Sequence, residues 1–278
     1  MSYSAEMDTR GFTIAHDLFS ADEVGKLREQ ARVILDKPAF KGDLDKHALY
    51  NRVRYDVFNR NPETRWLMTD DRVVRVMRAL IGPDFVFLPE GALHESGYGG
   101  WHKDTTAQEN ANQKFQWEPD FLMVQVALYL QDNDPELAGG LDVIPGSHNS
   151  PDRRIRRPGR GVMDKVLGRL QSGATNLRDQ LRGEPVRNRA GDLVMFHYRL
   201  DHRASIPRRP VPDDRRKLAY FFAISRPNRF ASQYVRYIAS RPDYQYLRDY
   251  RLDPSFASQL TEKGLTMIVP GGDDMTLV

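Results

Sequence analysis

A mainly β fold, a sandwich or barrel entered through N-terminal helices, is what this sequence predicts, and two observations carry that prediction. From Phe85 onward the chain breaks into short segments, "FVFL", "FLMVQVALYL", "LDVI", "DLVMF" and "KLAYFFAIS", rich in β-branched and aromatic residues and separated by turn formers. Few helical stretches lie between them, which disfavours a parallel α/β sheet. The second observation is an alternation: Val124, Val126, Leu128 and Leu130 interleave with Met123, Gln125, Ala127 and Tyr129. One face of that strand is uniformly aliphatic and the other mixed, the pattern of a strand lying between a core and a cavity.

Helices are legible before this point. In "LFSADEVGKLREQARVILDKP", Ser20 and Glu23 have capping-box spacing, Val24, Leu27, Ala31 and Ile34 recur at helical period, and Pro38 stops the run. A second helix is expected over about 70–81, with Val73, Val74, Met77 and Leu80 as its apolar face and Gly82-Pro83 as its end. Residues 161–190 read as an insertion of helical character. Beyond Ser225 the chain is rich in Tyr, Arg and Asp, and "PDYQYLRDYRLDP" shows no period. With no repeat and no linker, one domain is expected over 1–278: a helical region 1–83, a β core of about 84–225 and an irregular tail 226–278.

Composition narrows the function classes. The 278 residues are 40% apolar and 28% charged, as in a soluble globular protein. There is no cysteine, which excludes disulfides, thiolate metal sites and a cysteine nucleophile, so a transition-metal site must use His, Asp and Glu. "MSYSAEMDTRG" lacks the character of a signal peptide and no run of ~18 apolar residues occurs, so a cytoplasmic location without a membrane span is expected. The net charge of +3 is concentrated in "RRIRRPGR" at 153–160 and "RRPVPDDRR" at 208–216. Such clusters suit solvated loops or an anionic ligand, and without interleaved aromatics no nucleic-acid partner is expected.

The stretch "GGWHKDTT" holds His102 and Asp104 two residues apart, so at a strand end both side chains point the same way. The pair alone is common by chance. An Fe(II) centre that must also admit O2 and a second ligand needs few protein donors, and two imidazoles with one carboxylate meet that need. Among the other histidines, His16 and His47 lie in the N-terminal region, His94 precedes the motif and His148 sits in "PGSH". His197 and His202 follow "DLVMF", and His202, at a loop mouth, is the stronger candidate. A dicarboxylate co-substrate also needs a cation, best an arginine for its planar fork. Arg216 opens "KLAYFFAIS"; Arg215 is its rival, since strand alternation turns only one of them inward.

Four stretches in order, "WHKD" at 101–104, "VQVALYLQDNDPELAGGLDVIPGSH" at 124–148, "GDLVMFHYRLDH" at 191–202 and "RKLAYFF" at 216–222, resemble the phytanoyl-CoA dioxygenase family of Fe(II)/2-oxoglutarate oxygenases. The opening "GFTIAHDLFSADEVGKLREQA" is similar to that family's N-terminal helix, so the resemblance covers roughly residues 10–225. It implies a double-stranded β-helix, a cupin-like jelly roll, in which His102, Asp104 and His202 ligate Fe(II). Arg216 would pair with the far carboxylate of 2-oxoglutarate, and Gln125 and Ser205 are further co-substrate contacts. Ser205 departs from the family's pattern, standing three positions after the distal histidine in "HRAS", and the interval from His202 to the arginine is longer than in many members. The retained Asp104 excludes a halogenase, whose iron needs that coordination position for halide.

The implied activity is that of a dioxygenase acting with O2 on a small molecule, in secondary metabolite biosynthesis, by hydroxylation or by oxidative cyclisation or desaturation, with succinate and CO2 as co-products. Substrate contacts are expected from the insertion 161–190, the loop 203–215 and the tail after 225. Trp101, Trp117, Tyr98 and Phe196 are candidates to line the pocket, against a plain role in the core. From other classes, the competing readings are a non-catalytic jelly-roll binding protein using its arginine-rich loops, and a metal enzyme that needs no 2-oxoglutarate.

Overall fold

A computed structural model describes residues 2–46, 51–96, 100–151, 177–270 and 276–277. The arginine cluster 153–160, Tyr98, His47 and most of the 161–190 insertion lie outside the described residues; of the insertion, 177–182 are helical.

The strands in chain order are β1 (Phe12–Ala15), β2 (Leu44–Lys46), β3 (Asn51–Tyr55), β4 (Val86–Glu95), β5 (Met123–Tyr129), β6 (Leu141–Val143), β7 (Glu184–Pro185), β8 (Leu193–His197), β9 (His202–Ala204), β10 (Leu218–Ser225), β11 (Thr266–Val269) and β12 (Thr276–Leu277). A large sheet runs β1-β8-β5-β10-β4-β11-β12, with β3 also on β4 and β2 on β3. A small sheet, β7-β6-β9, is the second layer. Apart from the parallel pair of β11 with β4, the ladders are antiparallel.

The alternation in β5 sorts its side chains as expected. Val124, Val126 and Leu128 join Leu193, Met195, Tyr220, Phe222 and Ile224 in a core shared with Leu27, Ile34, Val73 and Met77 of the N-terminal helices. The opposite side chains Ala127 and Tyr129 join Phe12, Phe196, Leu141 and Val143, the last two from the small sheet. The large sheet thus has helices on one face and the small sheet on the other.

Helix Ala21–Asp36 starts as the sequence predicts. The Ser20 hydroxyl accepts from the Glu23 backbone N–H, and the Glu23 carboxylate accepts from the Ser20 N–H at 2.8 Å. Hydrogen bonds from Arg72 and from the Ser20 backbone hold the Glu23 carboxyl down at about 2. A carboxyl depressed by folding contributes stability above its ordinary pKa and loses it as pH falls towards 2. Ser20→Ala is therefore expected to cost about 1 kcal/mol, read as a lower melting temperature at pH 7 and a smaller difference at pH 3. The second expected helix is Asp71–Ile81, capped by Asp70, with Val73, Val74, Met77 and Leu80 buried and Gly82 at its end.

Two regions differ from the sequence reading. The N-terminal 83 residues are not only helical: β1 adds to β8, and β3 adds to β4. These strands are too short and too flanked by charge to stand out from the pattern alone. The tail after Ser225 is not irregular. It holds helix Arg229–Ser240, with Phe230, Tyr234, Val235 and Ile238 buried at helical spacing, then helix Pro254–Glu262 started by Asp253 and Pro254, then β11. Its "PDYQYLRDY" stretch lacks a period because part of it, Pro242–Leu247, is 3-10 helix with a kink at Tyr244.

Candidate metal centre

The loop carrying His102 and Asp104 is zipped onto the chain leading into β9. His102 and His202 exchange backbone hydrogen bonds of 3.0 and 2.9 Å, and the Asp104 N–H donates to the Tyr198 carbonyl at 3.0 Å. One donor atom from each of His102, Asp104 and His202 lies within 4.8 Å of the others. The two imidazole Nε2 atoms stand 3.8 and 3.6 Å from Asp104 Oδ1, and the rings are 4.3 Å apart.

The hydrogen bonds around these rings select a tautomer. Nδ1 of His102 and Nδ1 of His202 lie 2.9 Å from the carbonyls of Gly100 and Leu200, so each carries its proton at Nδ1 and leaves the Nε2 lone pair facing Asp104. Asp104 Oδ2 is buried with no hydrogen-bond partner. Burial, reinforced by the nearby Glu90 carboxyl and opposed by Arg241, pushes the Asp104 carboxyl up to about 8. Two lone pairs and an uncompensated buried carboxylate converging on one point fit a divalent ion with N/O preference, and three donors leave coordination positions open.

The residue between the ligands points the other way, as alternation requires. Lys103 is 1% exposed, and its ammonium donates to the carbonyls of Ser147, at 2.7 Å, and Arg199, with Asp201 Oδ2 at 3.4 Å. It ties the His102–Asp104 loop to the segment that delivers His202.

Beside the triad is a cavity of about 500 Å³, enough for a small-molecule ligand. Gln125 and Phe196 line it, opposite one another across β5 and β8. Tyr234, Arg241, Tyr244 and Tyr246 come to it from the tail. Glu90 lines it too, accepting from Tyr198 at 2.6 Å and Tyr234 at 2.8 Å; burial raises its carboxyl above the usual range although these bonds oppose the shift.

Other sequence candidates fall elsewhere, and alternation explains where. His197 is opposite Val124, on the far face from the Gln125–Phe196 pair; it is buried, accepts from the Arg199 N–H at 2.9 Å and is kept neutral by burial. On β9, His202 and Ala204 line the cavity while Ser205 turns away, donating to Asp142 at 2.7 Å and accepting from Asn133 at 3.1 Å. The expected co-substrate contact from Ser205 is therefore corrected: its hydroxyl belongs to a different, polar pocket. Arg216 is likewise not brought to the cavity. It follows the short turn Asp213–Arg215, and its guanidinium donates to Asp213. Arg215 is exposed, and the β10 side chains that line the cavity are Phe221 and, just before the strand, Lys217. Trp101 packs under the Arg203 guanidinium and Trp117 under that of Arg199, outside the cavity lining.

Sequence reasoning missed Glu90, Lys103 and Lys217. Lys103 was findable from parity, since it alternates with the two ligands; Lys217 shares the phase of Ala219 and Phe221, which only the structure places on the cavity face. Nothing local marks Glu90.

Comparison with known proteins agrees with this architecture. Over 159 residues the chain is 30% identical to the ectoine dioxygenase of Sphingopyxis alaskensis, a match covering 53% of this chain and 49% of that one. The ectoine dioxygenase of Streptomyces coelicolor is 25% identical over 153 residues, covering 52% and 49%. The chain thus spans about half the length of the curated relatives it matches. Among solved structures, EctD from S. alaskensis with 2-oxoglutarate and 5-hydroxyectoine superposes with a TM-score of 0.54 at 19% identity, over 80% of this chain and 74% of that one. The epimerase SnoN in complex with Fe3+, alpha ketoglutarate and nogalamycin RO does so at 0.55 and 18%, over 81% and 82%. At such identities these likenesses speak to the fold, the jelly roll that the family resemblance implies. The profile of the phytanoyl-CoA dioxygenase family matches residues 7–207, a span that holds all three converging donors, and the chain belongs to that family.

Proposed function

We propose that this protein is an Fe(II)- and 2-oxoglutarate-dependent oxygenase of a small molecule, in the biosynthesis of a specialised metabolite. The observation that carries the reading is the convergence of His102 Nε2, His202 Nε2 and the Asp104 carboxylate, whose Oδ2 has no hydrogen-bond partner, beside a cavity of about 500 Å³. Ectoine, which both curated relatives are named for, is a candidate for screening.

In this reading His102, Asp104 and His202 hold the iron. The chemistry supplied by bound Fe(II), 2-oxoglutarate and O2 is oxidative decarboxylation to succinate and CO2 coupled to removal of hydrogen from one substrate C–H bond. The chain's own contribution is positional. The Gly100 and Leu200 carbonyls fix both imidazole planes, and Lys103 fixes the loop that bears two of the donors. Gln125 and Phe196 form the floor beside the metal. The tyrosine wall of Tyr55, Tyr234, Tyr244 and Tyr246 narrows the space open to water and restricts the poses of a substrate. Hydroxylation, cyclisation and desaturation differ in how the substrate is held after hydrogen is removed, and three of these four tyrosines, Tyr234, Tyr244 and Tyr246, come from the tail.

The test is an anaerobic titration of apoprotein with Fe(II) and 2-oxoglutarate, followed by the visible charge-transfer band of the chelate. The band is expected in the wild type and absent in His102→Ala. A folded wild-type protein that forms no band rejects the oxygenase reading.

A further inference from the structure

The cavity contains a lysine that the triad leaves unexplained. Lys217 is 6% exposed and lines the cavity, and its backbone carbonyl accepts from the Ser96 N–H at 2.9 Å. Among the described residues no carboxylate lies within 4 Å of its ammonium and none accepts a hydrogen bond from it. An ammonium buried without a counter-ion is costly unless an anion joins it. Burial alone pulls it down to about 8.

Its neighbours complete a corner suited to a carboxylate. Ala219 of β10 pairs directly with Tyr129 of β5 on one side and His94 of β4 on the other, so the Tyr129 and His94 side chains share the cavity face of Ala219. Lys217, two residues before Ala219, extends that face. The Tyr129 hydroxyl is buried and has no hydrogen-bond partner. His94, stacked 4.6 Å from Phe221, is held down to about 3 by burial and by Lys217, so it stays neutral. One cation and one unsatisfied O–H donor face the same space, and no carboxylate of the described residues pairs with the cation.

We infer that Lys217, with the Tyr129 hydroxyl as second donor, receives the distal carboxylate of 2-oxoglutarate in place of Arg216 or Arg215. The inference rests on the oxygenase reading above and assigns the opposite end of the co-substrate. Parity is its physical basis: Arg216 is out of phase with the cavity face of β10, and its fork is engaged by Asp213. A lysine there supplies a point charge rather than a bidentate fork, and so needs a partner donor such as Tyr129 to fix the carboxylate plane.

A carboxylate at Lys217 has two sources, the co-substrate or the substrate, and a 2-oxo acid lacking the distal carboxylate separates them. Iron-loaded protein is titrated anaerobically with 2-oxoglutarate and with 2-oxobutanoate, reading the chelate band, with melting temperature as the folding control. Lys217→Met is expected to weaken 2-oxoglutarate about 30-fold, the loss of one charged hydrogen-bonding partner, and to leave 2-oxobutanoate within about twofold, the change of a site that has lost no contact to it. Lys217→Arg should recover most of the loss, and Tyr129→Phe should cost about fivefold, the size of a neutral hydrogen bond. Arg216→Leu and Arg215→Leu should bind both acids like the wild type.

The inference is overturned, with the oxygenase reading intact, if Lys217→Met binds 2-oxoglutarate normally, because the carboxylate at Lys217 then comes from the substrate. It is equally overturned if both acids weaken together, the mark of a merely structural lysine, or if the loss appears at either arginine. Absence of a band in the wild type removes the oxygenase reading and this inference together.

Discussion

Asp104→Asn is expected to stabilise the metal-free protein and to destroy the metal site. The Asp104 carboxyl is pushed up to about 8 by burial and by Glu90. For an acid whose pKa rises on folding, the folded state holds the proton more tightly, so stability is greatest below the ordinary carboxyl range and declines as pH rises towards 8. The amide carries no charge to bury, so the gain in melting temperature over the wild type should be larger at pH 8 than at pH 5. Iron reverses the order. Removing the anionic donor should weaken Fe(II) by more than about 100-fold, the upper range for losing an outer-shell partner, and abolish succinate formation. Adding Fe(II) at ~100 times its dissociation constant stabilises a folded protein by about 2.7 kcal/mol, or roughly 5–10 °C at this size. That shift is expected in the wild type and not in the variant. An Asp104→Asn protein that gains the same iron-dependent shift would remove Asp104 from the ligand set.

Lys103→Met should give the largest loss of stability among single changes near the site. Methionine keeps the unbranched length of the side chain, but the Ser147 and Arg199 carbonyls lose this donor and Asp201 loses this cation. Stripping the charged partner from such a network costs about 3–5 kcal/mol, or roughly 10 °C for a chain of this length. Because the same ammonium ties the His102–Asp104 loop to the segment before His202, iron affinity should fall about 10-fold in protein that remains folded. Thermal melts with and without Fe(II) check both parts. A melting temperature within about 2 °C of the wild type, less than 1 kcal/mol at this size, would mean that Lys103 is not the strut it looks to be.

The candidate ligands were legible because they obey local rules. His102 and Asp104 sit at i and i+2, and the flanking stretches run in a fixed order along the chain. The Ser20 cap and the two-faced β5 were legible for the same reason: each is a pattern within a few residues. The arginine expectation turns on a point that sequence leaves open, the phase of β10. Once Phe221 is known to face the cavity, Lys217 falls on the cavity side and Arg216 off it, but no residue in "RRKLAYFF" declares which face is which. Ser205 fails in the same way, one step out of phase with His202 and Ala204.

By itself, then, the sequence determined a mainly β fold class through periodicity, while the family and the three candidate donors came from the resemblance of stretches standing in a fixed order along the chain. What only the tertiary structure decided is which side chains meet. Glu90 reaches Tyr198 and Tyr234 across more than a hundred positions, Lys103 bonds carbonyls two segments away, and a tail without a readable period supplies Tyr234, Arg241, Tyr244 and Tyr246 to the cavity. The physical reason is strand pairing. Register sets both the partner and the face of every side chain, and a shift of one residue would exchange cavity for core along an entire strand.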